Sequence, residues 1–173
     1  MTLSGVNVGN GTLNVAPATV TDAGLGVVSV TGGGLSVNST TASASSLSMS
    51  NGTVSGPASI SVSGAATWTG GTFGTGGGRL IAGGGMSIGD GLQKTLNAYT
   101  LENAGTVSVT TSNQLYLYDG ASIDNAGVFD ITGDGYLRYL SGATGTFTNA
   151  LGATLSRNTS AGLARIDMAL TND

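Results

Sequence analysis

Four aspartates, Asp119, Asp124, Asp130 and Asp134, crowd one short stretch of a chain in which only 8% of residues are charged. Carboxylates at such density have two chemical uses. A pair can flank a glycosidic bond, one as acid and the other as base or nucleophile. A group can instead supply the oxygen ligands that calcium prefers. The tandem Gly-Gly-x-Gly-x-Asp pattern of calcium-binding rolls is absent, and only isolated Gly-Asp-Gly triplets occur, at 89–91 and 133–135. Asp-Gly is also ordinary turn chemistry. No metal or cofactor is therefore expected, and these four aspartates are the calcium candidates to be checked.

A second constellation is aromatic. Tyr116 and Tyr118 alternate with Leu115 and Leu117, so leucines pointing inward leave the tyrosines outward. Twenty-two residues beyond Tyr116 stands Arg138, flanked by Tyr136 and Tyr139. An exposed aromatic–arginine surface suits a sugar or a protein partner, although tyrosine is also a good strand former.

Other chemistries are excluded by composition. With no His and no Cys there is no Ser–His or Cys–His nucleophile and no conventional zinc site. Five basic against nine acidic residues, a net charge of −4, cannot neutralise a phosphate backbone, so no nucleic-acid partner is expected. No run approaches the ~20 apolar residues of a membrane helix, so no membrane insertion is expected. The tract Gly74-Thr-Gly-Gly-Gly-Arg79 lacks the Gly-Lys-Ser/Thr ending of a phosphate loop. Thr67-Trp-Thr69 and Thr146-Phe-Thr148 do not recur at a fixed period, which argues against a flat ice-binding ladder.

The elements that position these residues are repeats. Leu3, Val6, Val8, Leu13 and Val15 return as Leu25, Val28, Val30, Leu35 and Val37, each 22 residues later. Downstream, Leu101-Glu-Asn-Ala-Gly, Ile123-Asp-Asn-Ala-Gly and Phe147-Thr-Asn-Ala place Asn103, Asn125 and Asn149 at similar offsets, and Leu170-Thr-Asn172 opens a fourth copy. An apolar residue, a four-residue turn and a further apolar residue recur at Val8…Leu13, Val30…Leu35, Met49…Val54 and Ile81…Met86. Runs such as Val107-Ser-Val109 and Ile60-Ser-Val62 alternate strictly, the pattern of a strand with one dry face. Only Pro17 and Pro57 occur, so ladder donors are rarely missing.

A unit of ~22 residues holding two or three short strands cannot bury its own apolar face, whereas stacked units can. The expectation is an all-β, single-stranded parallel β-helix of roughly eight coils, a rod of about 38 Å at the ~4.8 Å spacing of neighbouring strands; an antiparallel sandwich is the alternative. One solenoid domain spans 1–173. Its 1–89 part carries only Asp22 and Arg79, and the other charged residues all lie in 90–173. Asn103, Asn125, Asn149 and Asn172 are expected at one turn position on successive coils, their amides bonded up and down the stack.

The series Trp68-Thr-Gly-Gly-Thr-Phe73, Leu80-Ile-Ala-Gly-Gly-Gly-Met-Ser-Ile88, Lys94-Thr-Leu96 and then the Asn-Ala-Gly coils resembles the repeat tracts of large secreted bacterial proteins. These are adhesins, filamentous-haemagglutinin-like exoproteins and autotransporter passenger domains. The likeness is good over about 66–173 and looser over 1–65. It implies a right-handed β-helix that is extracellular or on the bacterial cell surface and acts as a stalk or adhesive wall. The chain is far shorter than such proteins and carries no export signal, so an excised segment or a small subunit is expected.

Written end before start, Leu170-Thr-Asn-Asp173 and Met1-Thr-Leu3 parallel Leu101-Glu-Asn-Ala-Gly-Thr-Val107, with Thr2 at the place of Thr106 and Leu3 at that of Val107. This reading makes Thr2, Leu3, Leu170 and Asn172 an end-to-end contact between copies, and a head-to-tail contact that does not close gives a filament. The functional expectation is a non-enzymatic structural or adhesive solenoid. The alternative is a carbohydrate-binding or carbohydrate-cleaving module centred on Tyr116, Tyr118 and Arg138, with environmental or host glycans as partners.

Overall fold

The computed structural model describes residues 1–16, 22–158 and 161–173; Pro17 lies outside them. The alternating runs form 22 short strands, and every pairing among the described residues is parallel. An antiparallel sandwich is thereby excluded, and the chain is an all-β solenoid.

Each full coil has three faces. The first face stacks Ser59–Val62, Arg79–Ala82, Thr100–Asn103, Ser122–Asn125, Thr146–Asn149 and Ala169–Asn172. The second stacks Gly5–Val8 and, higher up, Ala66–Trp68, Met86–Ile88, Thr106–Val109, Val128–Ile131 and Thr154–Ser156. In the early coils Asp22–Val30 and Thr41–Met49 run along both of these faces without a break, which joins them into one 14-stranded sheet. The third face is a separate sheet of eight strands, from Thr12–Val15 to Arg165–Asp167, so seven turns of the coil separate its first strand from its last.

Alternate side chains of each strand enter the shared core. On the second face Val8, Val30, Met49, Trp68, Ile88, Val109 and Ile131 stand in one column. On the third, Leu13, Leu35, Val54, Phe73, Leu96 and Leu117 do the same. Apart from Leu13, which is exposed on the open end coil, burial of each such side chain contributes about 1.5–3 kcal/mol. Two aromatic clusters thicken the axis. Trp68 meets Phe73 edge to face with ring centres 4.9 Å apart, Tyr99 lies 5.9 Å beyond Phe73, and Phe129 meets Phe147 at 5.0 Å.

The register corrects two sequence expectations. The turn at Val8…Leu13, Val30…Leu35 and Met49…Val54 continues at Trp68…Phe73; Ile81 is instead an outward residue of the first face. The coil length is also not uniform. Leu35 pairs with Val54 and Val54 with Phe73, a spacing of 19, whereas Phe73 pairs with Leu96, a spacing of 23.

The early coils, long and short alike, owe the tight turn between their second and third faces to a glycine column. Gly11, Gly33, Gly52 and Gly71 all take positive φ, between 61° and 93°. A Cβ on Gly33 or Gly52 would strike the backbone of the glycine one coil below. The carbonyls of Gly11, Gly33 and Gly52 accept from the amides of Gly34, Thr53 and Thr72 at 2.8–2.9 Å, so the turn itself is part of the ladder.

Candidate functional site

The asparagines form the most ordered polar feature. Asn103, Asn125, Asn149 and Asn172 are in register on the first face, and the first three are buried. The Nδ2 of Asn103 donates to Oδ1 of Asn125 at 2.7 Å, that of Asn125 to Asn149 at 2.6 Å, and that of Asn149 to Asn172 at 2.8 Å. Each amide also closes its corner. Asn103 accepts from the Gly105 amide and Asn125 from that of Gly127, while their Nδ2 groups reach the Val128 and Thr154 carbonyls. A buried amide has four bonding positions; Asn125 fills all four with protein groups and Asn103 and Asn149 three each.

The tyrosines lie on the third face. Leu115 and Leu117 are buried and Tyr116 and Tyr118 half-buried between them. Tyr116 sits in register with Arg138, and Arg138 with Asp167; Tyr136 is in register with Arg165. Tyr139 departs from the simple alternation. The regular register opposes it to the inward Leu117, and the shift comes only after that pair, yet Tyr139 stays half-buried and donates its hydroxyl to the Gly142 carbonyl at 2.6 Å. A groove of about 240 Å³ runs beside Tyr116, between Gln93, Asn113 and Gln114. A second, of about 210 Å³, is bounded by Tyr136, Arg138, Arg165 and Asp167.

The four aspartates are dispersed. Asp119 occupies a corner with φ of 52°, Asp124 faces outward on the first face, and Asp130 faces outward on the second, accepting from Ser156 at 2.7 Å. Asp134 pairs with Arg157 at 2.9 Å. Among the described residues no three His, Cys, Asp or Glu side chains gather as a metal site would need. Both Gly-Asp-Gly triplets brace the coil above. Asp90 accepts from the Ser112 amide at 2.9 Å and the Thr111 hydroxyl at 3.0 Å, bonds that hold its carboxyl below the usual range.

A carboxylate pair does arise where spacing alone had not been read for it. Glu102 stands directly under Asp124, and Arg79 bridges to Glu102. Partial burial raises the Asp124 carboxyl; Arg79 opposes this and Glu102 reinforces it. The signal was present, because Leu101-Glu-Asn and Ile123-Asp-Asn align the two acids. This pair occupies the first face and the tyrosines the third, so the two constellations are not brought together.

Lys94 is the other surprise. It shares the parity of Leu96, points inward and is fully buried, its Nζ donating to the Leu92 carbonyl at 3.1 Å. Burial depresses its pKa, with Asp90 partly opposing.

The ends differ from the expected splice. Thr2 bridges Gly24, and that column runs through Ser43, Ser61 and Ile81 to Glu102, not to Thr106. Val6 holds the place of Val107, through Val28, Leu47, Ala66 and Met86. The corner between them is one residue shorter here, Thr2 to Val6 spanning four positions where Glu102 to Val107 spans five. Met1–Leu3 and Ala169–Asn172 consequently share one face.

Comparison with protein-family models, curated proteins and solved structures finds no match for this chain.

Proposed function

We propose that this chain is a structural length of an extracellular bacterial solenoid, a stalk or adhesive wall whose copies associate end to end, without enzymatic activity. The observation that supports this reading is the asparagine column, which spends the most precisely bonded polar groups of the molecule on holding coils together. Parallel ladders on all three faces serve the same end.

The two ends suit stacking. At one, a groove of about 330 Å³ opens onto Ile131, Leu155 and Ile166, and Leu170 is 50% exposed. At the other, Met1 and Leu13 are exposed. Because Thr2 and Leu3 lie on the same face as Leu170 and Asn172, a second copy stacks strand over strand on that face rather than splicing one terminus into the other. Covering these apolar edges also removes unpaired backbone groups, which are otherwise templates for association.

Negative-stain micrographs at rising protein concentration test this. Rods that lengthen in multiples of about 38 Å, and that Leu170→Lys shortens to single particles, are the expected result. Particles of one length at every concentration would overturn end-to-end assembly.

A further inference from the structure

The outward surface of the third face has a use that stacking leaves unexplained. Tyr136 and Arg138 flank the buried Leu137 on one strand, so both project outward, with Tyr116 one rung below Arg138. Gln93, Asn113 and Gln114 edge the neighbouring groove, the side-chain carbonyl of Gln114 being buried behind it without a hydrogen-bond partner. Among the described residues Arg138 is the one basic side chain with no protein partner. Arg79, Arg157 and Arg165 are paired with acids, and Lys94 is bound to a carbonyl.

From this juxtaposition we infer that the third face, from Gln93 to Arg138, binds an extended acidic glycan running along the solenoid axis. The chemistry divides by residue. The rings of Tyr116 and Tyr136 offer flat apolar faces to the C–H faces of pyranose rings. The Gln93 amide and the Asn113 side-chain carbonyl, whose own Nδ2 is held by the Gly91 carbonyl, face hydroxyls in the groove. The Arg138 guanidinium matches a uronate carboxylate in the two-pronged geometry that arginine favours.

Two further features select a polymer over a small molecule. Both grooves are shallow and open onto one face, and successive rungs repeat at ~4.8 Å, close to the length of a single pyranose ring. A glycan aligned with the axis meets one rung per sugar, and several weak contacts then add through effective concentration. The net charge of −4 and the nearby Asp167 disfavour a densely charged polyanion such as a nucleic acid. A polyuronate carries a lower line charge than a duplex, and Arg138 pairs with one of its carboxylates while the others stay in solvent.

Affinity electrophoresis of the chain through native gels containing polygalacturonate, with hydroxyethyl cellulose as the neutral arm, tests the inference. The expected result is retardation by polygalacturonate alone, weakened roughly tenfold or more by Arg138→Gln and by Tyr116→Ala. Tyr116→Phe is expected to retain it, as is Thr67→Ala, an outward control on the second face. Unchanged thermal midpoints for these surface variants exclude misfolding as the cause. Absence of retardation overturns the proposal. So does retardation that Arg138→Gln leaves intact, or equal retardation by the neutral polymer.

Discussion

One corner of the solenoid, where the first face turns into the second, is built in two ways. In the early coils its inward column is Ala44, Val62 and Ala82, and the chain turns through small residues such as Ser63-Gly64 and Gly83-Gly84-Gly85. From the next coil onward the same column is Asn103, Asn125, Asn149 and Asn172. The early corner is closed by backbone, and the later one by side-chain amides bonded both to the corner and to each other. A second column changes at the same level. Gly71 of the glycine turn is succeeded by Lys94 and then by Leu115 and Leu137. A parallel ladder thus accepts either solution, provided that each level matches the one beneath it.

The largest effect in this comparison is expected from Asn125→Leu. It removes the side-chain partners of the Gly127 amide, the Thr154 carbonyl and the Asn149 Oδ1 together, and leaves the Asn103 Nδ2 only its bond to the Val128 carbonyl. At ~1–3 kcal/mol for each buried group left unpaired, a loss of about 4 kcal/mol is expected in chemical denaturation. Replacing Asn103, Asn125 and Asn149 together by Ala, as the early coils have at Ala44 and Ala82, should cost less than the sum of the single changes, because neighbouring sites couple. Strict additivity would mean that the amides act singly.

Gly52→Ala tests the other half. It places a side chain at φ of 83° against the backbone of Gly32 and Gly33, and a loss of about 2–3 kcal/mol is expected by the same measurement. An unchanged midpoint would show that the early turn yields freely.

The junction is expected to respond in the opposite direction. Lys94→Met removes a buried ammonium that keeps one hydrogen bond, and a gain of about 1–2 kcal/mol is expected. Smaller again, Tyr99→Phe removes a buried hydroxyl without a partner, for a gain of about 1 kcal/mol.

These two groups also set an alkaline signature. A base whose folded pKa lies below its unfolded value costs stability while charged. The cost of Lys94 should therefore fade as pH rises through its depressed value toward the ordinary lysine range. Burial raises the Tyr99 phenol, so above pH about 10, where an unfolded tyrosine ionises, stability should turn down. Denaturation midpoints across this range check both signs. Lys94→Met should remove the rise and Tyr99→Phe the fall.

The sequence disclosed the solenoid through offsets that return near 22 residues, and the asparagine column through the repeated Asn-Ala. Both are periodic, and periodicity survives translation into space. What it concealed was local. The 19-residue coils were hidden because the link from the third face to the first shortens, from six residues after Val15 to three after Val37, without disturbing the strands on either side. The position of Thr2 was hidden because the corner that follows it is one residue shorter than the one after Glu102. Lys94 was legible by parity with Leu96, yet its charge argued for the surface. Tyr139 was legible as departing from the outward row, because it shares the parity of the inward Leu137, whereas the bond of its hydroxyl to the Gly142 carbonyl was not.

The glycine turn carries a consequence for how such a chain changes over generations. Its contacts reach only one level up and one level down, so duplicating or deleting an entire winding leaves every other contact as it was. Gain of a lone residue has no such freedom and must bulge out at a bend. Length in this architecture is therefore a quantity that copying errors can adjust in whole steps, while the cross-section stays fixed.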